Sequence, residues 1–179
     1  IIHNDLVEAD CSGWQWWTTF EKDASSGNEE RFALIRYILN NQQTDGVYRP
    51  TKLLYALGNF SRFIRPGMKR VDVMRLDGLS AADAIANQMV SSYIDEITHE
   101  LVIVVINAST QSRSIRMNIS GLSNNMGITH FTPYITTNSL NDALRRGSDI
   151  AVTENYTMPA TSIVTLVCKI RDLSDTGII

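Results

Sequence analysis

The sequence predicts an α/β segment followed by an all-β, antiparallel sandwich. Three observations carry this reading. Apolar residues recur at helical spacing through residues 48–64, at Leu53, Leu54, Leu57, Phe60 and Ile64. The stripe ends at Pro66-Gly67, where proline cannot continue a helix and glycine accepts positive φ. Beyond Met68 the pattern changes to short alternating or wholly apolar runs separated by turn residues, the signature of a sandwich.

Along the chain, residues 1–9 place Ile2, Leu6 and Ala9 on one side and read as the end of a helix. Residues 11–19 are rich in Trp and Thr and read as a short strand. Residues 21–28 read as a polar loop, and residues 40–46 as a polar connection. Residues 32–39 fit strand or helix. Pro50 suits the first turn of the helix that follows, where a missing N–H costs nothing. In the second half, strands are expected at residues 69–75, 90–95, 101–107, 114–119, 128–136, 150–156 and 162–170. The run 114–119 alternates, giving one apolar face, whereas 101–106 is apolar on both faces and should be central. Turns are expected at Ser120-Gly121, Asn124-Asn125 and Arg146-Gly147. Residues 80–88, with Ala81, Ala82, Ala84, Ile85 and Ala86, read as a helical turn or insertion. The boundary falls at residues 65–67, giving units 1–66 and 67–179.

Composition narrows the function classes. The 179 residues are 44% hydrophobic and 20% charged, as in ordinary globular proteins. Lys plus Arg number 16 and Asp plus Glu 19, a net charge of −3, so no basic surplus points to nucleic acid. The apolar run 101–106 is far too short to span a membrane. Cys11 and Cys168 lie far apart, and His3, His99 and His130 are scattered, so no metal-binding spacing exists. Free cysteines are expected, a disulfide being the alternative in a secreted chain. Asn-x-Ser/Thr sequons stand at Asn59, Asn107, Asn118 and Asn155. The chain starts without Met inside a helix-like run, so it is expected to be a piece of a longer protein.

Two local patterns suggest chemistry. Trp14, Trp16 and Trp17 fall within four residues. On a strand, Trp14 and Trp16 share one side while Gln15 and Trp17 share the other. Their bland role is core packing; their functional role is a stacking platform for the apolar C–H faces of sugars, with Gln15 bonding a hydroxyl. Glu8, Asp10 and Glu21 flank this segment as carboxylates, and their ordinary role is a solvated surface. Tyr48 and Arg49 are expected to start the long helix, and Arg62 and Arg65 to tie its end to the β-rich half. Ser61 pairs poorly with any histidine as a nucleophile, because no strained elbow surrounds it.

The stretch Leu57-Gly58-Asn59-Phe60-Ser61-Arg62-Phe63-Ile64-Arg65-Pro66-Gly67, preceded by Lys52-Leu53-Leu54-Tyr55-Ala56, resembles the last barrel helix of glycoside hydrolase family 30. There the helix leads from a (β/α)8 barrel into a β-sandwich. Gly13-Trp14-Gln15-Trp16-Trp17 resembles the eighth barrel strand, whose end faces the sugar. The tail from Asn155 to Leu166 resembles the closing sandwich strand. The resemblance implies the last strand and helix of a (β/α)8 barrel in residues 1–66 and a β-sandwich in residues 67–179. Residues 80–88 depart from the family pattern.

The family's enzymes are retaining, with two glutamates roughly 5 to 5.5 Å apart. Those glutamates end the fourth and seventh barrel strands, and Ile2-His3-Asn4-Asp5-Leu6 resembles the helix after the seventh. Neither catalytic glutamate is therefore expected in this chain. The resemblance places Trp14 beside the substrate; Gln15 and Trp16 are further candidate binding residues on their own chemistry, which the resemblance supports less strongly. It implies a β-linked polysaccharide substrate, no metal or organic cofactor, the rest of the barrel as partner, and a secreted, periplasmic or cell-surface location. The form of Trp14 to Thr18 and of Arg62 to Gly67 is most like the β-1,6-galactanase branch; xylanase and β-glucosidase branches share the scaffold. A non-catalytic carbohydrate-binding or structural sandwich is the alternative.

Overall fold

A computed structural model of the chain describes residues 1–23, 32–123 and 125–174. These fall into two units, Ile1–Gly58 and Asn59–Ile179.

The first unit opens with helix α1 (Ile2–Val7). A three-stranded sheet follows, formed by β1 (Phe20–Lys22), β2 (Ile35–Leu39) and β3 (Gly46–Pro50) in the order β1-β2-β3. β1 and β2 run parallel, whereas β2 and β3 form an antiparallel hairpin. The hairpin turns through Asn40–Asp45, where the Asn40 N–H donates to the Asp45 carbonyl at 2.8 Å and Gln43 has a φ of 56°. Gly46 is required there, because a Cβ would lie 2.2 Å from the Ile38 carbonyl oxygen. Helix α2 (Lys52–Ser61) begins in this unit. Thr51, just before it, donates its hydroxyl to the Ala33 and Leu34 carbonyls at 2.8 and 3.0 Å, fixing where the chain leaves β3.

Three sequence expectations change here. Pro50 closes β3, in register with Ile35, and is not in the first turn of the helix; Tyr48 and Arg49 are likewise strand residues. The helical stripe was extended too far because proline also suits a strand end, where its missing N–H breaks no ladder. The expected strand at residues 11–19 lies later, in β1, although pairing begins when the Thr18 and Thr19 carbonyls accept from Leu34 and Ile35 N–H at 3.1 and 2.8 Å. Glu21 and Lys22 belong to that strand; the rest of the expected loop, residues 24–28, lies outside the described residues. The ambiguous run 32–39 resolves as β2.

The second unit starts in the last turn of α2. Pro66 and Gly67 then make a tight turn: the Met68 N–H donates to the Arg65 carbonyl at 3.1 Å and Gly67 has a φ of 96°, as a type II turn demands. Beyond it come β4 (Lys69–Val71), helix α3 (Ala81–Ala86), β5 (Gln88–Asp95), β6 (Glu100–Asn107), β7 (Arg113–Ile115), β8 (Met126–Gly127), β9 (His130–Thr136), β10 (Arg145–Arg146), β11 (Ile150–Ala151), β12 (Tyr156–Met158), β13 (Ser162–Lys169) and β14 (Arg171–Asp172). The main sheet has the order β10-β9-β13-β6-β5-β4, with β11 also on the free side of β9, and every pairing is antiparallel. Two ribbons, β12-β7 and β14-β8, supply the opposing layer.

The central strand β6 is buried on both faces, as its sequence requires. Leu101, Ile103 and Val105 join Val164, Leu166, Phe131 and Ile135 on one face, and pack with Ile115, Met117, Ile128 and Met158 from the ribbon side. Val102 and Val104, on the other face, are also fully buried. Thr165 faces Val104 in the register and shares that second face with Tyr134 and Thr136. There the end of α2 docks. Asn59 donates Nδ2 to Thr136 Oγ1 at 2.6 Å, and the Thr165 hydroxyl donates to the Asn59 carbonyl at 2.6 Å, with Oδ1 at 3.0 Å. The Phe63 and Tyr134 rings lie 4.5 Å apart between centroids, and the Arg62 guanidinium sits 5.7 Å over Tyr134. Arg62 thus ties the helix end to the sheet as expected, whereas Arg65 caps its own helix by donating to the Ser61 carbonyl at 2.8 Å.

Shorter elements differ from the sequence pattern for identifiable reasons. The strand expected at 69–75 stops at Val71. The alternating run 114–119 pairs only through Ile115, because its partner β12 is three residues long; Met117 and Ile119 still face the core. The run 150–156 is split. Ile150 and Ala151 pair with β9, the chain turns as the Glu154 N–H meets the Ala151 carbonyl at 3.0 Å, and Tyr156 begins β12 in the other layer. Arg145 and Arg146 are strand, not turn. β10 and β11 are interrupted opposite Pro133, which has no N–H to offer; the Gly147 N–H meets the Pro133 carbonyl at 2.8 Å instead. The helix expected within residues 80–88 forms as α3, capped by Ser80 Oγ accepting from the Asp83 N–H at 3.2 Å. Gly121 has a φ of 80° and Asn125 of 68°, as turns require; Asn124 lies outside the described residues.

Asn107 is buried and bonds the Gln111 and Pro159 carbonyls at 2.9 and 2.8 Å, so it and Asn59 have their amides consumed, while Asn118 and Asn155 are exposed. Both cysteines are free, Cys11 exposed and Cys168 buried in β13.

Replacing Asn59 by leucine removes the amide from Thr136 and Thr165, although the residue-59 backbone carbonyl and the Leu144 N–H still meet those hydroxyls, and should lower unfolding free energy by about 2 kcal/mol, measured by urea denaturation. Thr165→Val should cost less, and the double variant less than the sum, because the two groups share one interaction. Burial pushes the Cys168 thiol from its ordinary 9.0 up to about 12. The folded state therefore holds a proton that the unfolded chain has released, so stability should decline as pH rises from 9.0 towards 12. At pH 8 a thiol reagent should label Cys11 rapidly and Cys168 only in denaturant.

Candidate functional site

The tryptophan segment of the first unit is organised by α1. Asp5 lies in the first turn of that helix. Its backbone is held on both sides: its N–H donates to the Ile1 carbonyl at 3.0 Å, and its carbonyl accepts from the Cys11 N–H at 2.9 Å. The chain reverses through Asp10, at a φ of 52°, and returns past its own helix. This return brings Trp14 to Asp5, where the indole Nε1–H donates to Oδ2 at 2.7 Å.

Trp16 is anchored differently, donating Nε1–H to the Phe32 carbonyl at 2.6 Å. The Trp14 and Trp16 rings meet at 5.6 Å between centroids, tilted by 41°. Both are half-buried, although the segment that carries them is not a paired strand. Gln15 is exposed, and Trp17 is 81% exposed; the peptide bond after Trp17 is cis. The structure therefore brings Trp14 and Trp16 together and leaves Gln15 apart from them. Because both paired indoles spend their N–H groups within the protein, they offer ring faces, not donors, to a ligand. The sequence reading overlooked Asp5, which no local spacing links to Trp14.

The flanking carboxylates do not converge on the pair. Glu8 caps the C-terminal end of α1 and, like Asp10, is exposed. Glu21 lies on β1 in register with Arg36, which faces Arg49 on β3. Ser61 is exposed on a regular helix turn and lacks the geometry of a nucleophile elbow. Among the described residues no group of His, Cys, Asp and Glu has the arrangement of a metal site, and no helix is long and apolar enough to cross a membrane. A groove in the second unit is bordered by Leu76, Arg116, Asn118, Met126, Val152 and Thr153, and no aromatic ring lines it. It therefore lacks the surface on which sugars stack.

No family model matches the chain. The chain is 28% identical over 171 residues to glucuronoxylanase XynC of Bacillus subtilis, covering 94% of this chain and 33% of that protein. It thus spans about a third of the length of the curated relatives it matches. A conserved exported protein from Bacteroides fragilis superposes with a TM-score of 0.76 at 31% identity, over 93% of this chain and 31% of that one. The family 30 endoxylanase of Clostridium papyrosolvens C71 superposes with a TM-score of 0.61 at 26% identity, over 94% of this chain and 36% of that one. Over nearly its whole length, the chain is similar to the C-terminal region of glycoside hydrolase family 30 xylanases.

Proposed function

We propose that this chain is the C-terminal part of a secreted or cell-surface retaining glycoside hydrolase that cleaves β-linked polysaccharide, with xylan as the substrate class. The observation that carries this reading is similarity to a glucuronoxylanase across 94% of the chain. Likeness to an exported protein of Bacteroides fragilis supports the location. In this reading, residues 1–66 complete a (β/α)8 barrel and residues 67–179 form its companion β-sandwich. Both catalytic glutamates come from the preceding part of the polypeptide, one as nucleophile and one as acid/base, and no metal or organic cofactor takes part. Trp14 and Trp16 stack against sugar rings, and exposed Gln15 bonds a hydroxyl.

Xylan is preferred to β-1,6-galactan because the relatives of known activity are xylanases. The test is hydrolysis of glucuronoxylan, arabinoxylan, β-1,6-galactan and β-glucan by the full-length protein and by the 179-residue chain. Xylan cleavage by the longer protein alone is expected. Cleavage of galactan alone would overturn the substrate class. Cleavage by the short chain would return the catalytic role to Glu8, Asp10 or Glu21. In the full-length protein, Trp14→Ala should raise KM for xylan about tenfold, the loss of about 1.4 kcal/mol of binding, with a smaller effect on kcat. An unchanged KM would remove Trp14 from the binding site.

A further inference from the structure

We propose that Asp5 is a positioning residue for the sugar platform, fixing the plane of the Trp14 indole and enriching its ring face for contact with sugar C–H groups. The inference rests on the reading of Trp14 as a platform and goes a step beyond it. At 2.7 Å, the contact from Nε1 to Asp5 Oδ2 has the length of a charge-assisted hydrogen bond. Asp5 itself has little freedom, because its N–H and carbonyl are both engaged, with Ile1 and Cys11. On its other side Trp14 leans on Trp16, whose own edge is pinned to the Phe32 carbonyl. A tryptophan has only two side-chain torsions. An edge hydrogen bond together with a ring contact removes both freedoms, while part of the ring stays at the surface.

Two physical effects follow. Stacking depends on ring placement, and a binding group held near its productive geometry loses little entropy when ligand arrives. A carboxylate accepting the indole N–H also pushes electron density into the ring. The negative face of the aromatic quadrupole then attracts electropositive sugar C–H groups more strongly. Asparagine at this position keeps an acceptor and restores placement; leucine keeps the bulk and loses both.

The experiment uses the full-length protein with xylohexaose, comparing Asp5→Leu, Asp5→Asn, Trp14→Phe, Trp14→Ala and the double variant Asp5→Leu/Trp14→Phe. Asp5→Leu should raise KM about fivefold and leave kcat within about twofold, with Asp5→Asn recovering most of the loss. Trp14→Phe has no N–H to donate to Asp5, so adding Asp5→Leu should change KM by less than about twofold further. The positioning role is overturned if Asp5→Leu keeps the wild-type KM, if its effect persists undiminished beside Trp14→Phe, or if Asp5→Leu lowers kcat and Tm together without rescue by asparagine. Failure of the platform itself looks different: Trp14→Ala then leaves KM unchanged, whatever Asp5 does. No turnover of xylohexaose by the wild-type protein would overturn the xylan reading beneath both.

Discussion

The second unit depends on a hydrogen-bonded clamp at Asn59. This amide is completely buried, yet each side of it is matched: Nδ2 meets Thr136, and Oδ1 and the backbone carbonyl meet the Thr165 hydroxyl. A buried polar group without partners is costly, so the helix end can seat on this face only in the register that brings the two threonines to Asn59. Thr136 is fixed in turn from the far side, since the Leu144 N–H donates to its hydroxyl at 3.1 Å. Apolar contact alone would let the helix slide along a sheet face of valines. The clamp, with Phe63 against Tyr134, selects one seat.

That seat explains why the main sheet has two dry faces. β6 carries valine, leucine or isoleucine at consecutive positions, a pattern that only a strand covered on both sides can use. The ribbons β12-β7 and β14-β8 cover one face, and the end of α2 contributes to the other. The two cysteines follow the same division between surface and core, and only the surface one is chemically available.

Elements whose signal is local were legible in the sequence. Pro66-Gly67 specifies its own turn, the two-faced apolar run of β6 announces a central strand, and the alanine-rich run from Ala81 to Ala86 indicates the helical turn that forms as α3. The alternation of 114–119 correctly reports which side chains face the core, but not how far backbone pairing runs, because that depends on a distant three-residue partner. Tyr48 to Pro50 were read as helix because strand pairing with β2 leaves no mark in their own spacing. Of the candidate site, the grouping of Trp14 with Trp16 was legible from their two-residue spacing, although the segment does not pair as a strand. The hydrogen bonds that orient them were not: Asp5 and Phe32 reach the indoles from other segments of the unit. The sequence marks Asn59 only as part of the helix motif and as a sequon, because its partners lie 77 and 106 residues away.

The measurement that tests the account most directly is a crystal structure of the full-length protein with a bound xylo-oligosaccharide. The account predicts a sugar ring stacked on the Trp14 face, with the Asp5 contact intact and the two carboxyl groups nearest the scissile bond contributed by residues preceding Ile1. A sugar held on residues 67–179, or a scissile bond flanked by Glu8, Asp10 or Glu21, would contradict it.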